Sequence, residues 1–248
     1  MSAPETVLAV EEVSVRFGGV QALDAVTLSA QAGRVTGLIG PNGAGKTTMF
    51  NVITGLESPG SGRVTIAGRD VSGLSTHRRA RRGLARTFQR LEIFGSMTAR
   101  QNILAAAEFR NGWSRDKADP GTVADRILDR VGLCAVADDR ADALPTGLAR
   151  LVELGRALAT RPSLLLLDEP GSGLDSTESA ALGDLLLDLA ADGMAVLLVE
   201  HDVELVMRVC DTVHVLDFGR RIASGTPAEV QAHPAVQAAY LGAEAGAA

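Results

Sequence analysis

Lys46 is one of only two lysines in a chain of 248 residues, and it stands in the run Gly40-Pro41-Asn42-Gly43-Ala44-Gly45-Lys46-Thr47-Thr48. An apolar stretch, Arg34 to Gly40, leads into this run, and a helical pattern from about Lys46 to Thr54 leads out of it. Glycines in that context let backbone N–H groups turn inward around phosphate oxygens, and the helix N-terminus adds its partial positive charge. The Lys46 ammonium can reach the β- and γ-phosphates of a nucleotide, and the Thr47 hydroxyl can ligate Mg²⁺. A second chemical element is Leu164-Leu165-Leu166-Leu167-Asp168-Glu169-Pro170, an apolar strand that runs into two acids. An ion held by Thr47 and phosphates needs a carboxylate, for which Asp168 is the candidate. Glu169 would lie near the γ-phosphate, where it can orient and deprotonate water.

The composition allows this chemistry and excludes other kinds. With 46% hydrophobic and 22% charged residues, the chain can bury a sizeable core and is not disordered. A net charge of −6 argues against a nucleic-acid binder. The arginines at 78, 79, 81, 82, 86 and 90 therefore read as a solvated helix face. No apolar run approaches a membrane span, and the N-terminus shows no secretory signal, so a cytosolic chain is expected. Cys134 and Cys210 fit no metal spacing and read as thiols in apolar sites.

The pattern along the chain supplies elements to hold those residues. Strands are expected at Val7 to Phe17, Arg34 to Gly40, Arg63 to Ile66, Leu84 to Gln89, Ser163 to Leu167 and Ala195 to Glu200. A hairpin, Thr212 to Leu216 with Arg220 to Ser224, turns at Phe218-Gly219. Residues 75 to 82 read as an exposed basic helix, and no element is assigned between Gly19 and Arg34. From about 91 to 160 the spacing is helical throughout: Thr98 to Phe109, Thr122 to Val131 and Arg150 to Thr160, with a surface turn at Asn111 to Pro120 holding Trp113. Helices follow at Glu178 to Ala191 and Asp202 to Val209, then two short ones near 227–231 and 234–241. Continuously apolar strands alternating with helices indicate an α/β fold with a mostly parallel sheet covered on both faces. The expected layout is one domain: a nucleotide-binding core at about 1–90 and 161–226, an inserted helical subdomain at about 91–160, and C-terminal helices over 227–248.

With Gly40–Thr48 and Leu164–Pro170 in one chain, the sequence resembles the ATP-binding-cassette (ABC) ATPases, a P-loop fold with an N-terminal antiparallel β part. The resemblance implies ATP and Mg²⁺ as cofactors, bound through Gly40, Asn42, Gly43, Gly45, Lys46, Thr47 and Thr48. It assigns Gln89, in Thr87-Phe88-Gln89, to γ-phosphate sensing and to the metal alongside Thr47 and Asp168. It makes His201, the histidine beyond the acid pair, a catalytic residue, Asp175 the D-loop acid, and Phe17 the aromatic that stacks on adenine. Arg16 to Gly19, Ala85 to Gln89, Val199 to Asp202 and the ending His233 to Gly242 resemble the ATPase subunits of branched-chain amino-acid importers. The tail is shared with lipopolysaccharide-export ATPases, the nearest alternative. Non-transport ABC ATPases generally show a long coiled-coil insertion or two cassettes in one chain, and this sequence has neither.

One segment departs from the family pattern. The signature LSGGQ aligns with Leu144-Pro145-Thr146-Gly147-Leu148, followed by a helix from Arg150. In family members this segment closes over ATP bound to the partner subunit. Pro145 has neither hydroxyl nor N–H, and Leu148 replaces a glutamine. Gly147 and the helix N-terminus remain. The resemblance further implies membrane permease subunits, a head-to-tail second ATPase subunit, an indirectly engaged solute-binding protein, and a peripheral location on the inner face of a bacterial plasma membrane. Leu91, Phe94 and Met97 are candidate permease contacts, with burial in the chain's own core the competing expectation.

Overall fold

The structure is a computed structural model that describes residues 5–245. The reading of the extreme N-terminus at 1–4 and of the last three alanine-rich residues lies outside this range.

Two sheets share the molecule. The first begins with a hairpin, β1 (Thr6–Phe17) and β2 (Val20–Gln31), joined at Gly18-Gly19, and is completed by β4 (Ser61–Ile66) and β5 (Arg69–Asp70). Its order is β2-β1-β4-β5 and every pairing is antiparallel. β2 is the strand that sequence analysis leaves unassigned. The buried residues Leu23, Val26, Leu28 and Ala30 lose their period of two at a register shift beside Ala25, which holds φ 48°. One extra residue in the strand is enough to hide an alternating pattern.

The second sheet contains β3 (Val35–Ile39), β6 (Leu84–Arg86), β7 (Leu164–Asp168), β8 (Ala195–Val199), β9 (Thr212–Asp217) and β10 (Arg220–Gly225), in the order β10-β9-β3-β8-β7-β6. All its pairs are parallel except the β9–β10 hairpin. The apolar runs of β7 and β8 are fully buried because the two faces of this sheet feed two different cores. Leu164, Leu166, Ala195 and Leu197 pack with the antiparallel sheet and α1 (Lys46–Thr54). Leu165, Leu167, Val196 and Leu198 pack with helices on the other side. Those helices are α3 (Ala99–Trp113), α4 (Pro120–Arg130), α5 (Thr146–Ala159), α6 (Ser176–Ala191) and α7 (Val203–Val209). Their starts are chemically marked: Thr98 with Gln101 and Asp175 with Glu178 form capping boxes, and Asp119 caps α4 ahead of Pro120. The chain ends in α8 (Pro227–Gln231) and α9 (Pro234–Ala245). Among the described residues no helix is long and apolar enough to cross a membrane.

Four expectations need correction. The basic segment does form a helix, α2 (Thr76–Ala80), but Arg79 is 1% exposed. Its guanidinium donates to the carbonyls of Val52 (2.6 Å), Ile53 (2.9 Å), Leu74 (2.9 Å) and Ser72 (2.9 Å). It thus serves the C-terminal carbonyls of α1, where a cation suits the helix dipole. Arg86 is likewise buried rather than solvated, for a reason given below. Cys134 is exposed, and only Cys210 lies in an apolar site, where burial pushes its thiol up to about 12. Finally, α3 continues to Trp113, and the Asn111 side chain bonds both backbone groups of Ala118, which ties down the following turn.

Candidate functional site

Four neighbouring parallel strands, β3, β8, β7 and β6, deliver their carboxyl ends to one edge of the sheet. This is where open α/β sheets form ligand crevices. The end of β3 opens into the glycine-rich loop. Its backbone needs glycine: Gly40 has φ 151° and a Cβ there would stand 2.1 Å from Leu216 O, while Gly45 has φ 105° and would meet Ala22 O at 2.7 Å. α1 begins at Lys46, so its first N–H groups face the loop. The Lys46 ammonium is buried and donates to the Gly40 carbonyl at 2.6 Å and the Pro41 carbonyl at 3.0 Å. Burial lowers its pKa, and the facing carboxylates of Glu169 and Asp168 oppose that shift. Asn42, Gly43 and Thr47 are exposed in the same loop and Thr48 is half-buried.

The end of β7 carries Asp168, 3% exposed, and Glu169. Glu169 sits at φ 51°, a left-handed conformation that costs a non-glycine residue energy and tends to persist at functional positions. Its N–H is fixed by the Val199 carbonyl at 2.8 Å. Its two carboxylate oxygens are separately engaged: Oε1 lies 2.9 Å from His201 Nε2, and Oε2 accepts from Gln89 Nε2 at 3.1 Å. Gln89, Glu169 and His201, which are far apart in sequence, therefore converge. A carboxylate held from both sides at a phosphate-binding loop can take a proton from an attacking water. Thr47 and Asp168 offer hard oxygen donors, the set Mg²⁺ favours, and Arg86 engages only Oδ2 of Asp168.

The comparisons with known proteins show the family. Residues 23–172 match the family described as ABC transporter, and residues 220–246 match one described as branched-chain amino acid ATP-binding cassette transporter. The chain belongs to the ABC transporter ATP-binding family. It is 38% identical to the high-affinity branched-chain amino acid transport ATP-binding protein BraF of Pseudomonas aeruginosa, over 98% of this chain and 99% of that one. It is 36% identical, at the same coverage, to the corresponding protein LivG of Escherichia coli K12. The lipopolysaccharide export ATP-binding protein LptB of Haemophilus influenzae is 33% identical over 96% of this chain and 98% of its own. Among solved structures, a nucleotide-free ATP-binding cassette from an ABC transporter superimposes with a TM-score of 0.85 at 32% identity, covering 95% of this chain and 98% of that one. The ADP conformation of such a cassette gives 0.84 at 31%, covering 96% and 99%.

The remaining expected residues of the cassette lie outside the cluster at Glu169. Phe17 is half-exposed at the end of β1, on the hairpin turn. Asp175 spends its carboxylate on the N–H groups of Thr177 and Glu178, both at 2.8 Å, as the cap of α6. The signature segment is more helical than its sequence suggests: α5 starts at Thr146, four residues before the expected Arg150, with Pro145 as an N-cap that offers no side-chain acceptor. Gly147 is buried against Glu178, where a Cβ would meet a carboxylate oxygen at 2.7 Å. Leu148 packs at the edge of the helical core. Met97 and Phe94 remain 38% and 41% exposed, so the competing expectation of core burial does not hold for them. Phe88, Phe109 and Trp113 line a groove beside Arg156, whose guanidinium lies over the Phe94 ring.

Sequence reasoning missed several groups that organise the site. Arg86 Nη2 donates to Asp168 Oδ2 at 2.7 Å and Nη1 to Asn51 Oδ1 at 2.8 Å, with the guanidinium over the rings of Phe50 and Phe88. α5 is pinned to the segment around Gln89. Arg150 donates to the carbonyls of Phe88 (3.0 Å) and Gln89 (2.8 Å), and Glu153 accepts from the N–H groups of Phe88 and Glu92. Burial holds Glu153 above the usual carboxylate range, against those two hydrogen bonds. At the other side of the loop, Tyr240 of α9 faces the Gly40 backbone, and burial pushes its phenol above the ordinary value.

Proposed function

We propose that this cassette is the ATP-hydrolysing motor subunit of an importer for branched-chain amino acids or similar small polar solutes. The relatives named for that transport match nearly the whole chain, and a segment at 220–246 matches the family named for it. In this reading the backbone N–H groups of Gly43, Gly45 and the start of α1 bind the ATP phosphates. Lys46 exchanges the Gly40 and Pro41 carbonyls for phosphate oxygens, Thr47 and Asp168 would hold Mg²⁺, and Phe17 meets the adenine. When bound there, the metal would supply charge neutralisation at the phosphates.

The observation that carries the hydrolytic assignment is the double restraint of Glu169 by Gln89 and His201. Glu169 orients a water in line with the γ-phosphorus and receives its proton, while His201 keeps the carboxylate in place. The signature segment at 144–148 serves the ATP bound by a partner cassette, with Gly147 and the first turn of α5 facing that phosphate. The motor rides on permease subunits at the inner face of the plasma membrane, engaging them through the exposed side chains of Phe88, Phe94 and Met97. A solute-binding protein acts only through those permeases.

Glu169→Gln tests this directly. The variant keeps the side-chain shape and should bind ATP normally, yet hydrolyse it slower by about two to four orders of magnitude, the range for a general base. It should also form the ATP-bound dimer more persistently than wild type. Wild-type turnover in the variant would overturn the assignment. Uptake of labelled leucine by vesicles carrying the assembled transporter tests the solute class.

A further inference from the structure

Glu200, at the end of β8, is 5% exposed and forms no ion pair with any described residue. Its carboxylate is instead shared between two loops. Oε1 accepts the Gly171 N–H at 2.6 Å, and Oε2 accepts the His201 N–H at 3.0 Å and the Asp202 N–H at 3.5 Å. Gly171 lies two residues beyond Glu169, and His201 is the group hydrogen-bonded to Glu169. One buried side chain therefore bridges the loop that carries the carboxylate and the loop that carries the histidine. The fit leaves no slack, because a Cβ on Gly171 would stand 2.8 Å from Oε1.

We infer that Glu200 is a positioning residue for ATP hydrolysis, setting the distance between Glu169 and His201 by tying Gly171 to the backbone of His201 and Asp202. This rests on the reading of Glu169 as the base. A carboxylate suits the task because three N–H donors converge on it and it is acceptor-only when ionised. Glutamine has one oxygen, so its NH₂ would face either Gly171 or the His201–Asp202 pair as donor against donor. Burying a charge without a cation is costly: burial raises the Glu200 pKa, and the three donors oppose that shift without cancelling it. A residue needed only for packing would be cheaper as an apolar side chain. Glu200 touches neither the glycine-rich loop's donors nor Lys46, so ATP affinity should not depend on it.

The experiment compares wild type, Glu200→Gln and Gly171→Ala as full-length chains. The second variant attacks the same contact from the opposite side and leaves the carboxylate in place, so it keeps the test open if Glu200→Gln fails to fold. Single-turnover phosphate release should fall about tenfold or more in both, while the affinity for a fluorescent ATP analogue stays within about twofold. In a Glu169→Gln background, Glu200→Gln should add less than about twofold, since groups that act as a unit are non-additive. Wild-type turnover in both variants would overturn the inference, as would loss of ATP affinity in parallel with rate. The same holds for an undiminished effect in the Glu169→Gln background. Glu169→Gln retaining wild-type turnover would instead overturn the base assignment, and this inference with it.

Discussion

Arg86→Met removes the only cation paired with Asp168 among the described residues, while leaving an apolar stem between the rings of Phe50 and Phe88. The ion pair is buried, with side-chain exposures of 6% and 4%, so solvent does not screen it. Stranding one member of such a pair costs about 3–5 kcal/mol. Part is returned, because Arg86 Nε is buried without a partner and the substitution deletes that donor. Relieving an unsatisfied group recovers about 1 kcal/mol or more, which leaves a net loss of about 2–4 kcal/mol. For a chain of this size that corresponds to a fall in Tm of about 4–16 °C. Thermal melts of the purified chain would measure it. Asp168→Asn in the same background should recover much of the loss, since it removes the stranded charge. Mg²⁺ with ATP should raise the Tm of Arg86→Met more than that of wild type, because a cation at Asp168 replaces the missing one, whereas ATP with a chelator should not. A variant that melts with wild type would refute the energetic argument. Equal Mg²⁺–ATP increments in the two proteins would refute the placement of the metal at Asp168.

Lys46→Ala should weaken ATP binding itself through loss of the phosphate contact, and an isothermal titration matching wild type would contradict that role. The isolated chain should be a weak ATPase, and Pro145→Ser with Leu148→Gln should raise its rate. The missing hydroxyl contact is worth about 1.5–3 kcal/mol, roughly ten- to hundredfold if it falls wholly on the transition state. Robust wild-type hydrolysis with no gain in the double variant would show the departure to be harmless. His214 is buried, with Nε2 on the Ser29 carbonyl (3.3 Å) and Nδ1 on Ser224 Oγ (2.9 Å), and burial lowers its pKa below the ordinary 6.5. Below pH 6.5 the unfolded chain takes up a proton that the folded chain refuses. The stability conferred by neutral His214 is therefore complete above that pH and is lost as pH falls from it towards the folded-state value. Urea midpoints from pH 7.5 down to about 5.5 should decline more steeply for wild type than for His214→Gln; parallel curves would remove His214 as the cause.

Much of this protein is legible in one dimension because its chemistry is local. A phosphate cradle is made of consecutive backbone N–H groups, so Gly40 to Thr48 must be contiguous, and the apolar run ending in Asp168-Glu169 carries both the strand and its payload. Parallel strands buried on both faces need unbroken apolar runs, which is why β7 and β8 show themselves without a partner in view. The limits have equally physical causes. Arginines 78, 79, 81, 82 and 86 look alike in sequence, yet Arg79 is buried by carbonyls up to 27 residues away and Arg86 by a carboxylate 82 residues away. A long side chain's fate is set by whichever acceptor the fold brings within about 3 Å, and spacing carries no record of that. The bulge at Ala25 conceals β2 because a single inserted residue inverts the facing of all that follow. Glu200 reads as one more acid beside a histidine. It becomes a bridge only when β7 and β8 lie side by side, 5 Å or so apart, and put the N–H of Gly171 in front of its carboxylate.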